Sequence, residues 1–144
     1  MTRQRHHTAT LERSETQIQR QFVKYLRGAR QELTLWTALP LGGKRPIKVA
    51  AAMVAEGANK GAPDIMFFHR TCEGWPGLAL EFKAANGRVM AHQARWHEDL
   101  RREGWVVSVV RSFDAAVEVV ERHYGTRRDR LRSGLAQGLR DVTL

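Results

Sequence analysis

Apolar positions along this chain alternate between two rhythms. One repeats every three or four residues and the other runs almost continuously, and the switches divide the chain into helices and strands. Ile18, Phe22, Tyr25 and Leu26 share a helical face. Ahead of them Ser14 and Gln17 match a capping box, in which each side chain satisfies the other's free backbone N–H, and Gly28 supplies a stop. A helix is therefore predicted over about 14–27. "ELTLWTAL" is short and β-prone, and "PLGGKRP" after it is a loop. Ile47, Ala50, Ala51 and Val54 mark a second helix, closed by Gly57. "ANKGAPD" delivers the chain into the apolar strand "DIMFF" over 64–68, "CEGWPG" turns it, and "LALEFK" returns it as a hairpin partner.

Beyond a break at Asn86 and Gly87, Met90, Gln93, Trp96, His97 and Leu100 recur at helical spacing until Gly104. "WVVSVV" reads as a fully buried strand from its β-branched run, and Ser112 caps a last strong helix that Gly125 ends. The order α-β-α-β-β-α-β-α implies an α/β sandwich around a mixed sheet of about four strands. Three regions are expected: a flexible basic N-terminus over 1–13, a domain over 14–125, and a basic, helix-compatible extension over 126–144.

Charge changes this picture most. The 144 residues carry a formal charge of +9, with a sequence pI near 10.8. Such a surface is the electrostatic footprint of a protein that meets phosphate backbones, although acidic partners or membranes attract it too. Residues 1–13 and 126–144 account for part of the excess, and the middle of the chain carries the rest. No stretch approaches the roughly 18 apolar residues that span a bilayer. The basic start is not followed by an apolar segment, so no secretory signal is read. A single cysteine, Cys72, leaves no internal disulfide and implies a reducing, cytoplasmic setting.

Candidate chemistry gathers at one sheet edge. Asp64 opens one strand and Glu81 closes its antiparallel neighbour, with Lys83 two residues on and therefore on the same face as Glu81. An exposed ion pair is the plain reading of Glu81 and Lys83. Two carboxylates and an ammonium also suit a hard divalent cation such as Mg²⁺, which takes a few carboxylate oxygens and leaves room for phosphate. Lys83 would then orient a water or neutralise developing charge.

"GAPDIMFF" followed by "LALEFKAANGRVMAHQARWHEDLRREGWVVSVVRS" resembles the VRR-NUC branch of the PD-(D/E)xK nuclease superfamily, from about Ser14 to Ser112. The family's Gly-x-Pro-Asp falls on Gly61, Pro63 and Asp64, its Glu-x-Lys on Glu81 and Lys83, its helical Gln on Gln93, and its first-helix Glu on Glu15. The resemblance implies a restriction-endonuclease-like αβ sandwich that hydrolyses phosphodiester bonds of DNA with Mg²⁺ or Mn²⁺. Asp64, Glu81 and the main-chain carbonyl of Phe82 would hold the metal, with Glu15 joining directly or through water. Lys83 would act on the nucleophile and Gln93 would position water, metal or backbone. Stand-alone relatives of this length, common in phages and bacteria, resemble homodimers that cut branched DNA such as four-way junctions. A DNA-binding module that keeps the fold without catalysis is the alternative, and an RNase would share the same site.

Remaining residues carry weaker signals. Lys44, Arg45 and Lys48 sit where a loop meets a helix N-terminus, a place suited to phosphate or to plain solvation. Lys60 precedes Gly61 and Arg88 follows Gly87, so both are candidate DNA contacts. Glu15 is equally favoured by the helix macrodipole, and Gln93 alone could be an ordinary surface residue. His92 and His97 are five apart, the wrong spacing for two ligands on one helix face, so no zinc site is read. Trp75 lies in a turn, where it could stack on a base or fold back on the hairpin.

Overall fold

The computed structural model describes residues 13–39 and 46–138. Lys44 and Arg45 lie outside them. Helix α1 (Glu15–Ala29) starts where the capping box puts it, with Ser14 Oγ accepting the Gln17 N–H and the Gln17 side chain accepting the Ser14 N–H. Its apolar stripe of Ile18, Phe22 and Leu26 is buried. Strand β1 (Trp36–Ala38) and helix α2 (Ile47–Ala55) follow, then the hairpin of β2 (Ile65–Phe67) and β3 (Leu78–Phe82). Helix α3 (Ala91–Arg102) crosses over to β4 (Val106–Val110), and helix α4 (Phe113–Tyr124) starts from Ser112, whose Oγ accepts the Ala115 N–H.

The strands form one mixed sheet in the order β1-β2-β3-β4. β1, β2 and β3 pair antiparallel, with Ile65 opposite Leu80, and β3 pairs parallel to β4, with Phe82 opposite Val110. Helices α1 and α4 cover one face. There Phe22, Leu26, Leu80, Phe82, Val120 and Tyr124 belong to a single buried cluster. Helix α3 lies on the other face, so the α/β sandwich around four strands is what the chain builds.

One expectation is corrected. β4 is not fully buried: only Val110 is, and Val106 to Val109 are half-buried. Among the described residues the strand lies at the sheet edge and has no neighbour on one side, however apolar its sequence. Full burial belongs instead to β2 and β3, and one of the closed β3 residues is a glutamate.

The basic extension begins as helix α5 (Arg127–Gly138). Asp129 and Thr126 cap its start reciprocally, and Arg130 lies over the Tyr124 ring at 5.4 Å. Buried Arg30 ties the same region together, donating to Glu32 at 2.6 Å and to the Gly125 carbonyl at 2.9 Å. Among the described residues no helix is long and apolar enough to cross a membrane.

Candidate active site

Alternation along β3 sends Leu78, Leu80 and Phe82 into the core beneath α1 and sends Ala79, Glu81 and Lys83 towards α3. Continuing the β2–β3 register by one place sets Asp64 opposite Glu81, and by another sets Pro63 opposite Phe82. Proline has no N–H to donate, so the ladder cannot close there in the usual way. That leaves the Phe82 carbonyl without a donor from residue 63, while the Phe82 N–H is taken by a side chain: Asp64 Oδ2 accepts it at 2.7 Å. Because the N–H and C=O of a strand residue point to the same side, the Phe82 carbonyl also faces the Asp64 side. The Lys83 N–H points the other way, to the Val110 carbonyl at 2.9 Å.

Glu81 is 1% exposed and its two oxygens have different surroundings. Oε1 accepts from Lys83 Nζ at 3.0 Å and from the amide nitrogen of Gln93. Oε2 lies 3.5 Å from His97 Nε2. That is a contact and not a hydrogen bond, because both atoms are buried with no hydrogen-bonding partner among the described residues. Gln93 is held at both ends of its amide, since its oxygen accepts the Met90 N–H at 2.9 Å at the start of α3. Glu15, the first residue of α1, stands on the lysine side. Its Oε1 is 3.8 Å from Lys83 Nζ and 3.4 Å from the Ala84 N–H.

Burial sets the electrostatics. It pushes the Asp64 carboxyl up from 3.8 to about 6, aided by the neighbouring Glu81 charge and opposed by the Phe82 N–H and Lys83. It raises Glu81 as well, against the hydrogen bond and charge of Lys83. His97 is lowered by burial first and then by Arg101 and Lys83, which keeps the imidazole neutral. Two buried carboxylates that resist ionisation, one with an orphaned oxygen, form an environment short of positive charge. Among the described residues no group of three His, Cys, Asp or Glu side chains converges as a ready-made ligand set. A cation resting on Asp64, Glu81, main-chain oxygen and water would have an all-oxygen set, which fits Mg²⁺ or Mn²⁺.

The family model of the VRR-NUC domain matches residues 9–114. This chain belongs to the VRR-NUC family. A solved structure described as a VRR_NUC domain protein is similar to it, with a TM-score of 0.60 and 21% identity, covering 78% of this chain and 88% of that one. At that identity the likeness concerns the fold. No curated protein matches the chain in sequence.

Within this VRR-NUC domain the Gly61-x-Pro63-Asp64 run has a packing reason. Gly61 adopts φ +101°, and a Cβ there would come within 2.6 Å of the His92 carbonyl, so only glycine lets the loop dock on the first turn of α3. Docking brings Gln93 to Glu81. The structure thus gathers Glu15, Asp64, Glu81, Lys83 and Gln93 at one end of the β2–β3 hairpin. Lys60 and Arg88 are exposed on the segments flanking it, and Lys48 is exposed on α2. Trp75 is half-exposed on the β2–β3 turn, at the opposite end of the hairpin from Asp64.

Sequence reasoning missed His97 as a site residue. Its spacing of four from Gln93 on α3 was the available signal, since it puts both side chains over the same stretch of β3. His97 meets no second histidine but a carboxylate of β3, on the face that α3 covers.

Proposed function

We propose that the chain is a metal-dependent DNA endonuclease that hydrolyses phosphodiester bonds at the Asp64–Glu81–Lys83 edge. The orphaned, buried Glu81 Oε2, on the carboxylate whose charge acts on Asp64, carries this reading, because a buried carboxylate oxygen without a donor is costly unless a cation accompanies it. Bound there by Asp64, Glu81 and the Phe82 carbonyl, Mg²⁺ or Mn²⁺ would lower the pKa of water and offset charge developing on phosphate.

The protein's own groups do the rest. Lys83, held at 3.0 Å by Glu81, presents its ammonium where a nucleophile or a phosphate oxygen would stand. Gln93 fixes the Glu81 carboxylate through Oε1, leaving its second oxygen beside His97 without a donor. Glu15 shares the lysine and limits its travel. Helices α1, α3 and α4 all begin at this end of the sheet, and their N-termini favour anionic backbone there. A chain charge of +9, with Lys60 and Arg88 exposed beside the site, supports a nucleic-acid substrate.

Branched DNA is the substrate we favour, cut by a homodimer, since two symmetric strands of a junction call for two sites related by a two-fold axis. The deciding experiment incubates the purified chain with linear, flap and four-way-junction DNA in Mg²⁺ or Mn²⁺. Cleavage that is strongest on the junction and disappears in Asp64→Ala agrees with the proposal. A wild type inert on every substrate with either metal refutes it, and retained metal-independent DNA binding would then favour a non-catalytic module.

A further inference from the structure

Between the starts of α1 and α4 lies a cleft of about 450 Å³, within the size range of ligand sites. Ile18 and Phe113 line it with apolar surface, and Arg13, Gln21, Arg111 and Asp114 line it with polar groups. Both arginines are held by neutral oxygens. Arg13 Nη1 donates to the Gln21 side-chain oxygen, and Arg111 Nη1 donates to the carbonyls of Ala84 at 2.8 Å, Ala85 at 3.3 Å and Gly87 at 2.7 Å. Among the described residues neither arginine has an ion-pair partner, although Asp114 lines the same cleft. Two guanidinium charges therefore share one concave surface with a single carboxylate, and neither is spent on it.

We propose that this cleft binds a backbone phosphate of the DNA strand that enters the Asp64–Glu81–Lys83 site, held between Arg13 and Arg111. The inference rests on the nuclease reading above and adds where the strand runs. Position supports it. The turn Ala84–Gly87 leaves β3 straight after Lys83 and lies between site and cleft. On one side Glu15 Oε1 accepts the Ala84 N–H at 3.4 Å and stands 3.8 Å from Lys83 Nζ. On the other, Arg111 grips the carbonyls of the turn and Ala85 lines the cleft. A strand laid over the turn presents one phosphate to the catalytic residues and a neighbouring one to the two arginines. Chemistry selects the ligand. A guanidinium has five N–H donors, of which Arg111 Nη1 supplies two to the turn. The planar fork that remains suits phosphate oxygens. Asp114 opposes the anion and sets a limit on its affinity.

Binding of labelled duplex and four-way-junction DNA, read by fluorescence anisotropy on an Asp64→Ala background in EDTA, tests the cleft apart from cleavage. Arg13→Ala should weaken binding roughly 10-fold and reduce its salt slope by about 1. The Arg13 hydrogen bond goes to a side chain and not to the turn, so this variant leaves the catalytic residues in place. Asp114→Asn should tighten binding severalfold. Arg122→Ala removes the same charge roughly 14 Å further along α4 and should change little. A duplex with one neutral methylphosphonate linkage, moved along the strand, should at one position weaken the parent protein and leave Arg13→Ala unaffected. If Arg13→Ala and Asp114→Asn bind as the parent does, or Arg122→Ala weakens binding as much, the cleft is overturned and the nuclease reading stands. If the cleft variants shift binding as stated and the wild type cuts no DNA, the nuclease reading fails and the cleft stands. A chain that binds no DNA overturns both.

Discussion

Leu78, Leu80 and Phe82 on one face of β3, and Ala79, Glu81 and Lys83 on the other, are almost equally hidden from water, at 0% and at no more than 6% exposure. The first set meets α1 and α4 through apolar contact, as in the 5.6 Å approach of the Phe22 and Phe82 rings. The second meets α3 through a lysine, a glutamine amide and a neutral imidazole. Burial alone therefore does not separate core from site. What separates them is whether each buried atom already has its partner. The apolar face is complete, and the polar face leaves Glu81 Oε2 and His97 Nε2 without one.

Breaking the apolar face should have the largest effect. Phe82→Ala removes a fully buried ring and should cost about 3–5 kcal/mol in urea denaturation, with any loss of cleavage following the folded fraction. Breaking the polar face should do the reverse. Lys83→Ala should lower the cleavage rate roughly 10²- to 10³-fold while the far-UV spectrum and cooperative melt persist.

A pH series sharpens the contrast. The folded pKa of Asp64, about 6, lies above the ordinary 3.8, so its protonated form is favoured in the native state. The associated stability is fully present below pH 3.8 and lost as the pH rises through about 6. In EDTA, Asp64→Asn should therefore unfold about 2 kcal/mol less readily than wild type at pH 7.5 and no differently near pH 3. Wild type should gain stability from Mg²⁺ above pH 6, where the proton no longer competes. A flat difference across pH would contradict the burial assigned to Asp64. The smallest change is expected at the rim. Lys60→Ala should reduce the salt slope of DNA binding by about 1, read by fluorescence anisotropy, with turnover at saturation unchanged.

Much of this was legible because local rules dominated. Ser14 and Gln17 announced α1, and the hairpin that joins Asp64 to Glu81 followed from two apolar runs around "CEGWPG". Gln93 was found by its company and not by its own properties. The rest depended on who sits beside whom. A β-branched run cannot say that β4 is an edge, since that follows from sheet order. A helical periodicity such as that of α2 normally signals core, and nothing in nine residues says that the stripe faces outward. Arg30 gave no signal in the sequence, yet it is buried against Glu32 and the Gly125 carbonyl, a contact between residues 95 apart.

Pro63 acts through an atom it lacks. Any other amino acid at this place would offer the sheet one more N–H, and the Phe82 carbonyl opposite would have a ready, intramolecular and always present acceptor's duty to fulfil. The imino acid withdraws that rival before the chain has folded, so the Phe82 carbonyl meets no donor from residue 63 whichever way the side chains turn.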